Sequence, residues 1–152
     1  MNKITIGIVG FGTVGTGVIK ILRNNKTLVN NRLGTPIELK KIVDLDIKSD
    51  RGVRLRKGLL SKDVNDILND PSIDLIVELI GGVQAARSIL LDAIKQGKHI
   101  VTANKALLAS HGLELLNAAH KGGVDIGFEG SVAGGIPIIG ALKEGLTGNR
   151  IS

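Results

Sequence analysis

Apolar residues in this chain fall into short, dense runs, and between the runs they recur at helical spacing. The two patterns alternate along most of its length. Ile4-Thr5-Ile6-Gly7-Ile8-Val9 predicts a first strand over about Lys3–Val9, stopped by glycine. A helix follows from Thr13 to about Asn25, with Val14, Val18, Ile21 and Leu22 expected along its apolar face. Lys26 to Pro36 is rich in Asn and closes on Gly34-Thr35-Pro36, so it reads as a loop or frayed helix end. Ile37–Val43 is the second strand. A charged connection then runs from Asp46 to about Leu60, and Ser61 to Leu68 reads as a short helix capped by Ser61.

Asp70-Pro71 ends that helix, and Asp74 to Ile80 is an almost unbroken apolar run suited to a strand buried on both faces. Gly81-Gly82 turns the chain into a helix from Val83 to Gln96, carrying Ala86, Ile89, Leu90, Ala93 and Ile94 on one side and stopped by Gly97. His99–Thr102 is strand four. Asn104–Leu108 and Leu113–Lys121 are expected as helices broken at His111-Gly112, and Val124–Phe128 as strand five. A last helix is expected over Ile136–Leu146, with Pro137 in its first turn. Alternating strands and helices predict an α/β fold, a doubly wound parallel sheet with helices on both faces. Residues 1–135 are expected to form one domain and 136–152 to begin a second. Arg150-Ile151-Ser152 reads as a strand just starting, so the chain is expected to stop inside a larger protein.

Composition narrows the chemistry. The 152 residues allow one domain with a substantial core. Phe11 and Phe128 are the only aromatics, so that core must be aliphatic and no tryptophan or tyrosine can stack on a ligand. The absence of cysteine excludes disulfides, thiol catalysis and zinc–thiolate sites, and fits a cytoplasmic location. No signal peptide is expected before the first strand, and no apolar stretch approaches the roughly 20 residues that cross a bilayer. The net charge of +6 raises nucleic acid as a partner. Without aromatics interleaved among the cations, a solvated basic loop over Lys48–Lys57 that attracts an anionic small molecule is the better reading.

The turn after strand one reads Gly10-Phe11-Gly12-Thr13-Val14-Gly15, a G-x-G-x-x-G between a strand and a helix. That context points to a Rossmann-type dinucleotide site, the alternative being a plain strand–helix connection. Gly10 permits the tight turn, Gly12 lets backbone approach a pyrophosphate, and Gly15 lets the helix pack on the strand. The N–H groups around Thr13 and Val14 face the phosphates with the positive end of the helix dipole behind them. Asp44, at the end of strand two, is positioned either to accept hydrogen bonds from the adenosine ribose hydroxyls, favouring NAD over NADP, or to be a solvated strand end. Lys48 and Arg51 argue the other way, since either could fold back onto a phosphate. Ile80 and Gly81 either contact the cofactor through backbone or form a plain Gly-Gly turn.

Asn104 is a plausible N-cap, which puts Lys105 in the first helical turn against the dipole. A cation there suits cofactor or substrate binding or proton movement, and burial would lower its pKa toward a useful value; an ordinary surface lysine is the alternative. Glu129 opens the oxygen-rich loop Glu129-Gly130-Ser131-Val132-Ala133-Gly134-Gly135-Ile136-Pro137, which can hold a hard cation or act as a hinge. His99, His111 and His120 lack metal-ligand spacing and are assigned structural roles.

Four segments together resemble the cofactor domain of homoserine dehydrogenase. They are GIVGFGTVGTGV (7–18), VELIGG (77–82), GKHIVTANKALLA (97–109) and FEGSVAGGIPII (128–139). The resemblance implies an oxidoreductase that interconverts L-homoserine and L-aspartate 4-semialdehyde by hydride transfer with NAD or NADP, on the way to threonine and methionine. It implies that Phe11, Gly12, Thr13 and Val14 hold the pyrophosphate, that Ile80 and Gly81 line the cofactor path, and that Lys105 lies beside the nicotinamide. Glu129, Val132, Gly134 and Ile136 match a monovalent-cation site, such as one for sodium, the last three through backbone oxygens. The full-length protein is expected to be a homo-oligomer.

Two features depart from the family. Asp44-Leu45-Asp46 stands where NADP-preferring members often carry arginine, and the substrate and dimerisation region is nearly all absent. The chain alone is therefore expected to fold and bind nucleotide but to turn over little or no homoserine. A non-catalytic module that senses NAD(H) is the rival reading. It explains the glycines and Asp44 but not TANKALLA or SVAGGIP.

Overall fold

The structure, a computed structural model, describes residues 3–145. Among these, strands β1 (Ile4–Val9), β2 (Ile37–Val43), β3 (Leu60–Ser61), β4 (Leu75–Glu78), β5 (His99–Thr102) and β6 (Ile126–Gly127) form one sheet in the order β3-β2-β1-β4-β5-β6. Every neighbouring pair is parallel. The helices are α1 (Thr13–Asn24), α2 (Lys26–Leu33), α3 (Asn65–Leu68), α4 (Gln84–Lys95), α5 (Lys105–Gly122) and the single turn α6 (Ile138–Gly140), which runs on into a wider turn over Ala141–Gly145.

Successive strand residues point to opposite faces, and the core divides accordingly. On one face Ile76, Ile100 and Ile126 pack with Leu90 and Ala93 of α4 and Leu107 and Leu115 of α5. On the other, Ile6, Ile8, Ile42 and Val77 pack with Ile19 of α1, Leu59 and Phe11. The fold is the doubly wound sheet that the alternation predicts, and its core is aliphatic apart from Phe11 and the flanking Phe128. The chain passes from β1 outward to β2 and β3, then returns to β4 on the other side of β1. The crevice at the carboxyl ends of β1 and β4 is thus the topological switch point, where such sheets bind ligands.

Several local expectations are corrected. The inward face of α1 is Gly15, Thr16 and Ile19, with Val18 and Leu22 half-buried, while Val14 and Ile21 are exposed. Lys26–Leu33, read as a loop or frayed helix end, is a helix of its own. It buries no residue, but Gly34 closes it in the left-handed conformation and Asn30 Oδ1 accepts from Ile37 N at 3.1 Å. Ser61 ends β3 instead of capping a helix. Its hydroxyl accepts from Asp63 N at 3.1 Å, and Asp63 in turn accepts from Asn65 N at 2.9 Å to start the short α3.

Helix α5 is continuous through His111-Gly112, because Leu107, Leu115 and Ala119 are buried along one side of it. The Arg87–Glu114 ion pair adds a tie to α4. Strand five is shorter than expected, only Ile126–Gly127. The last helix starts at Ile138, after Pro137. It continues as the wider turn over Ala141–Gly145, while Leu146 and the strand expected at Arg150-Ile151-Ser152 lie outside the described residues.

Candidate dinucleotide site at the carboxyl edge of the sheet

The turn from β1 into α1 is built on two glycines with no room for a side chain. Gly10 has φ +108°, and a Cβ there would lie 2.7 Å from Leu79 backbone. A Cβ on Gly15 would lie 2.1 Å from the Gly10 carbonyl oxygen. Gly12 differs: a Cβ would meet nothing within 4 Å, so its bare backbone faces open space. Gly12 is the N-cap of α1, with no side-chain cap and no acid in the first turn. The first N–H groups, Thr13, Val14 and Gly15, therefore have no intrahelical acceptor and present the positive end of a 12-residue helix to the crevice. An anionic pyrophosphate fits this bare cradle.

Asp44 closes the turn from the β2 side. Its Oδ2 accepts from Phe11 N at 2.6 Å, and its Oδ1 accepts from Asp46 N at 2.8 Å. The Phe11 N–H is thus directed at Asp44 and away from any phosphate, which leaves Thr13 and Val14 as the outward donors. Each Asp44 oxygen retains a second lone pair for a ribose hydroxyl. Arg51 folds back over this corner. It bonds Asp46 Oδ2 at 3.1 Å, approaches Asp44 Oδ1 to 3.9 Å, and lies 5.5 Å from the Phe11 ring centroid. Its Nε is buried without a hydrogen-bond partner. Arg51, Lys20, Gly12, Thr13, Thr16 and Gly17 line a cavity of about 330 Å³. Hydrogen bonds from Ser49 and Lys48 hold the Asp46 carboxyl down at about 2.

A second cavity, about 290 Å³, lies beside the turn after β4, lined by Val14, Leu79, Ile80, Gly81, Ala103, Asn104, Lys105 and Ala106. The structure brings Ile80, Gly81 and Lys105 together here, next to the head of α1. Asn104 is the expected N-cap, its Oδ1 accepting from Leu107 N at 3.1 Å. Its Nδ2 donates to Gly82 O at 2.7 Å and Ile80 O at 3.3 Å, which ties the β4 turn to α5. Lys105 is exposed on the rim of this cavity. A larger cavity of about 500 Å³ opens near the amino ends of β1 and β2 and touches none of these residues.

Sequence reasoning overlooked Glu78. It is the last residue of β4, fully buried, and lies in one row of the sheet with Val9 and Thr102. Its Oε2 accepts from Thr102 Oγ1 at 2.5 Å and its Oε1 from Ile80 N at 2.9 Å. Burial pushes its carboxyl above the usual range, against the hydrogen bonds of Thr102, Ile80 and Asn104. The signal was an acid ending an otherwise apolar run.

The cation site expected after β6 is only partly assembled. Glu129 heads a tight turn over Glu129–Ser131, and both its oxygens accept backbone N–H groups, Ile139 at 2.8 Å and Gly140 at 3.0 Å. Ala133 and Gly134, with φ 54° and 61°, bend the backbone between Val132 and Ile136. Of the histidines, His99 Nδ1 accepts from Asp125 N and His111 pairs with Glu114. Among the described residues no helix is long and apolar enough to cross a membrane.

A six-stranded parallel sheet with a glycine cradle at its switch point and an acid at the end of β2 defines a dinucleotide-binding α/β domain. Known proteins narrow this further. The family model described as "Homoserine dehydrogenase, NAD binding domain" matches residues 10–129, and the chain belongs to that family. Homoserine dehydrogenase of Bacillus subtilis is 45% identical over 152 residues, all of this chain and 35% of the relative. The crystal structure of a homoserine dehydrogenase from Thiobacillus denitrificans superposes with a TM-score of 0.90 at 46% identity, over 99% of this chain and 35% of the other. A hyperthermophilic archaeal homoserine dehydrogenase solved in complex with NADPH superposes at 0.77 and 26% identity, over 97% of this chain and 50% of the other. The chain spans about a third of the length of the curated relatives it matches.

Proposed function

We propose that this chain is the cofactor-binding part of a homoserine dehydrogenase, an NAD(P)-dependent oxidoreductase that interconverts L-homoserine and L-aspartate 4-semialdehyde in threonine and methionine biosynthesis. The observation that carries the reading is the bare Gly12 backbone at the uncapped head of α1, in a chain that belongs to this family. The nicotinamide supplies hydride; the protein supplies position. Thr13 and Val14 N–H groups hold the pyrophosphate, with Gly10, Phe11 and Gly15 shaping the turn. Ile80 and Gly81 guide the nicotinamide half toward Lys105. Lys105, on the rim of that cavity, orients the substrate oxygen and stabilises or protonates a developing alkoxide.

In this reading Val132, Gly134 and Ile136 offer carbonyl oxygens to a monovalent cation such as sodium, with Glu129 completing the site when it leaves the N–H groups of Ile139 and Gly140. Residues 1–135 act as the cofactor domain. The substrate-binding remainder of a cytoplasmic homo-oligomer follows, and without it the chain turns over little or no homoserine. The family segments around Lys105 and Glu129 favour this over a domain that only senses NAD(H).

Asp44 favours NAD as the cofactor, through its free lone pairs and its charge. NADP is the second reading, favoured by the Arg51 Nε that lacks a partner beside the cavity shared with Lys20. Calorimetric titration with both dinucleotides decides between them. Saturable binding tighter for NAD is expected, weakened about tenfold by Asp44→Asn, the lower end of what one charged hydrogen bond contributes. Asn keeps an acceptor for Phe11 N–H but turns its NH2 toward Asp46 N–H, so unfolding of the variant is recorded beside the titration. Tighter NADP binding that is lost in Arg51→Ala would establish the second reading.

A further inference from the structure

Glu78 is a fully buried carboxyl at the carboxyl edge of the sheet, and the proposed chemistry leaves it without a task. Its place is specific. Oε1 receives the N–H of Ile80, and the carbonyl of Ile80 receives the Asn104 amide. Oε2 receives the Thr102 hydroxyl, which itself accepts from Asn104 N at 3.0 Å. One carboxyl therefore fixes both loops that border the cavity containing Ile80, Asn104 and Lys105.

None of the groups bonded to it is charged. They are a hydroxyl, an amide and a backbone N–H. The charged groups of the surrounding elements are committed elsewhere or exposed. Arg87 of α4 pairs with Glu114 of α5, Asp44 after β2 binds Phe11 and Asp46, Glu129 after β6 binds Ile139 and Gly140, and Lys105 is exposed. An ionised Glu78 is thus a buried negative charge without a countercharge. Low surrounding polarity makes such a charge felt over several ångströms.

We propose that Glu78 is a positioning residue that sets the charge preference of the dinucleotide site, its carboxylate behind the Ile80 turn favouring the oxidised, cationic nicotinamide over the reduced, neutral one. The proposal rests on the dinucleotide reading above. It also gives a reason for an acid where an apolar residue would pack at lower cost: the missing countercharge is the ring of the oxidised cofactor. Because burial raises the Glu78 carboxyl, the preference is strongest at higher pH and fades on acidification as the group takes up its proton.

The test is a pair of calorimetric titrations of the chain, with the oxidised and the reduced form of whichever dinucleotide it binds, at several pH values across the whole range in which the chain stays folded. The readout is the ratio of the two dissociation constants, in which the shared phosphates and adenosine cancel. In the wild type the ratio should favour the oxidised form increasingly as pH rises. Glu78→Gln keeps the shape and removes the charge. It should cut the preference on the order of tenfold at the highest pH and flatten its pH dependence. A purely structural role would weaken both forms together and leave the ratio unchanged, which would overturn the proposal. A flat wild-type ratio would also overturn it, and needs no variant to fold. Failure of the folded wild type to bind either form would overturn the dinucleotide reading and this proposal with it.

Discussion

Gly10, Gly12 and Gly15 are one motif in sequence and do different things in space. Gly10 and Gly15 serve the fold, each leaving room for neighbouring backbone, whereas a Cβ on Gly12 would meet nothing within 4 Å. Gly15→Ala would drive a Cβ into the Gly10 carbonyl oxygen, a backbone atom that cannot swing aside. It should destabilise the chain by about 2 kcal/mol or more, the upper part of the range for overpacking, measured by urea unfolding. Unchanged stability would show that the turn can relax. The room that Gly10 and Gly15 leave for neighbouring backbone was legible in the sequence because it follows from a missing Cβ at fixed spacing. The Asp44–Phe11 bond was not, because it joins residues that meet only after β2 returns beside β1.

At the scale of elements, tertiary burial decides where local signals conflict. Gly112 lowers helix propensity and reads as a break, yet α5 runs through it because Leu107, Leu115 and Ala119 reach the core. A Cβ at Gly112 would make only ordinary contact with Leu108, at 3.9 Å. Gly112→Ala should therefore stabilise the chain by about 0.5–1 kcal/mol, the usual difference between the two residues in a helix interior. A loss of stability would mean that α5 needs the glycine. Helix α2 was unreadable for the opposite reason. It has no apolar stripe, and its support comes from Asn30 and the left-handed Gly34. Strand β3 was invisible because two residues carry no periodicity. It exists because the edge of β2 takes a partner, with Ile42 N bonding Leu59 O and Asp44 N bonding Ser61 O.

At the scale of the molecule, the strand–helix alternation was enough to predict the parallel sheet, its switch point and the edge where the glycine turn, Asp44, Ile80 and Lys105 gather. Distance-dependent details, such as the Glu78 network and the commitment of Glu129 to Ile139 and Gly140, were beyond any reading of spacing. The central claim is that this domain, about a third the length of its relatives, already contains a formed dinucleotide cradle. Its most direct test is calorimetric titration of the whole chain with oxidised NAD and NADP, beside the same titration of Gly12→Ala, with unfolding recorded for both proteins. The wild type should bind saturably. Binding should be lost in Gly12→Ala with stability unchanged, since the new methyl enters only the space the pyrophosphate would take. Equal binding by the two proteins, or none by a folded wild type, would contradict that claim.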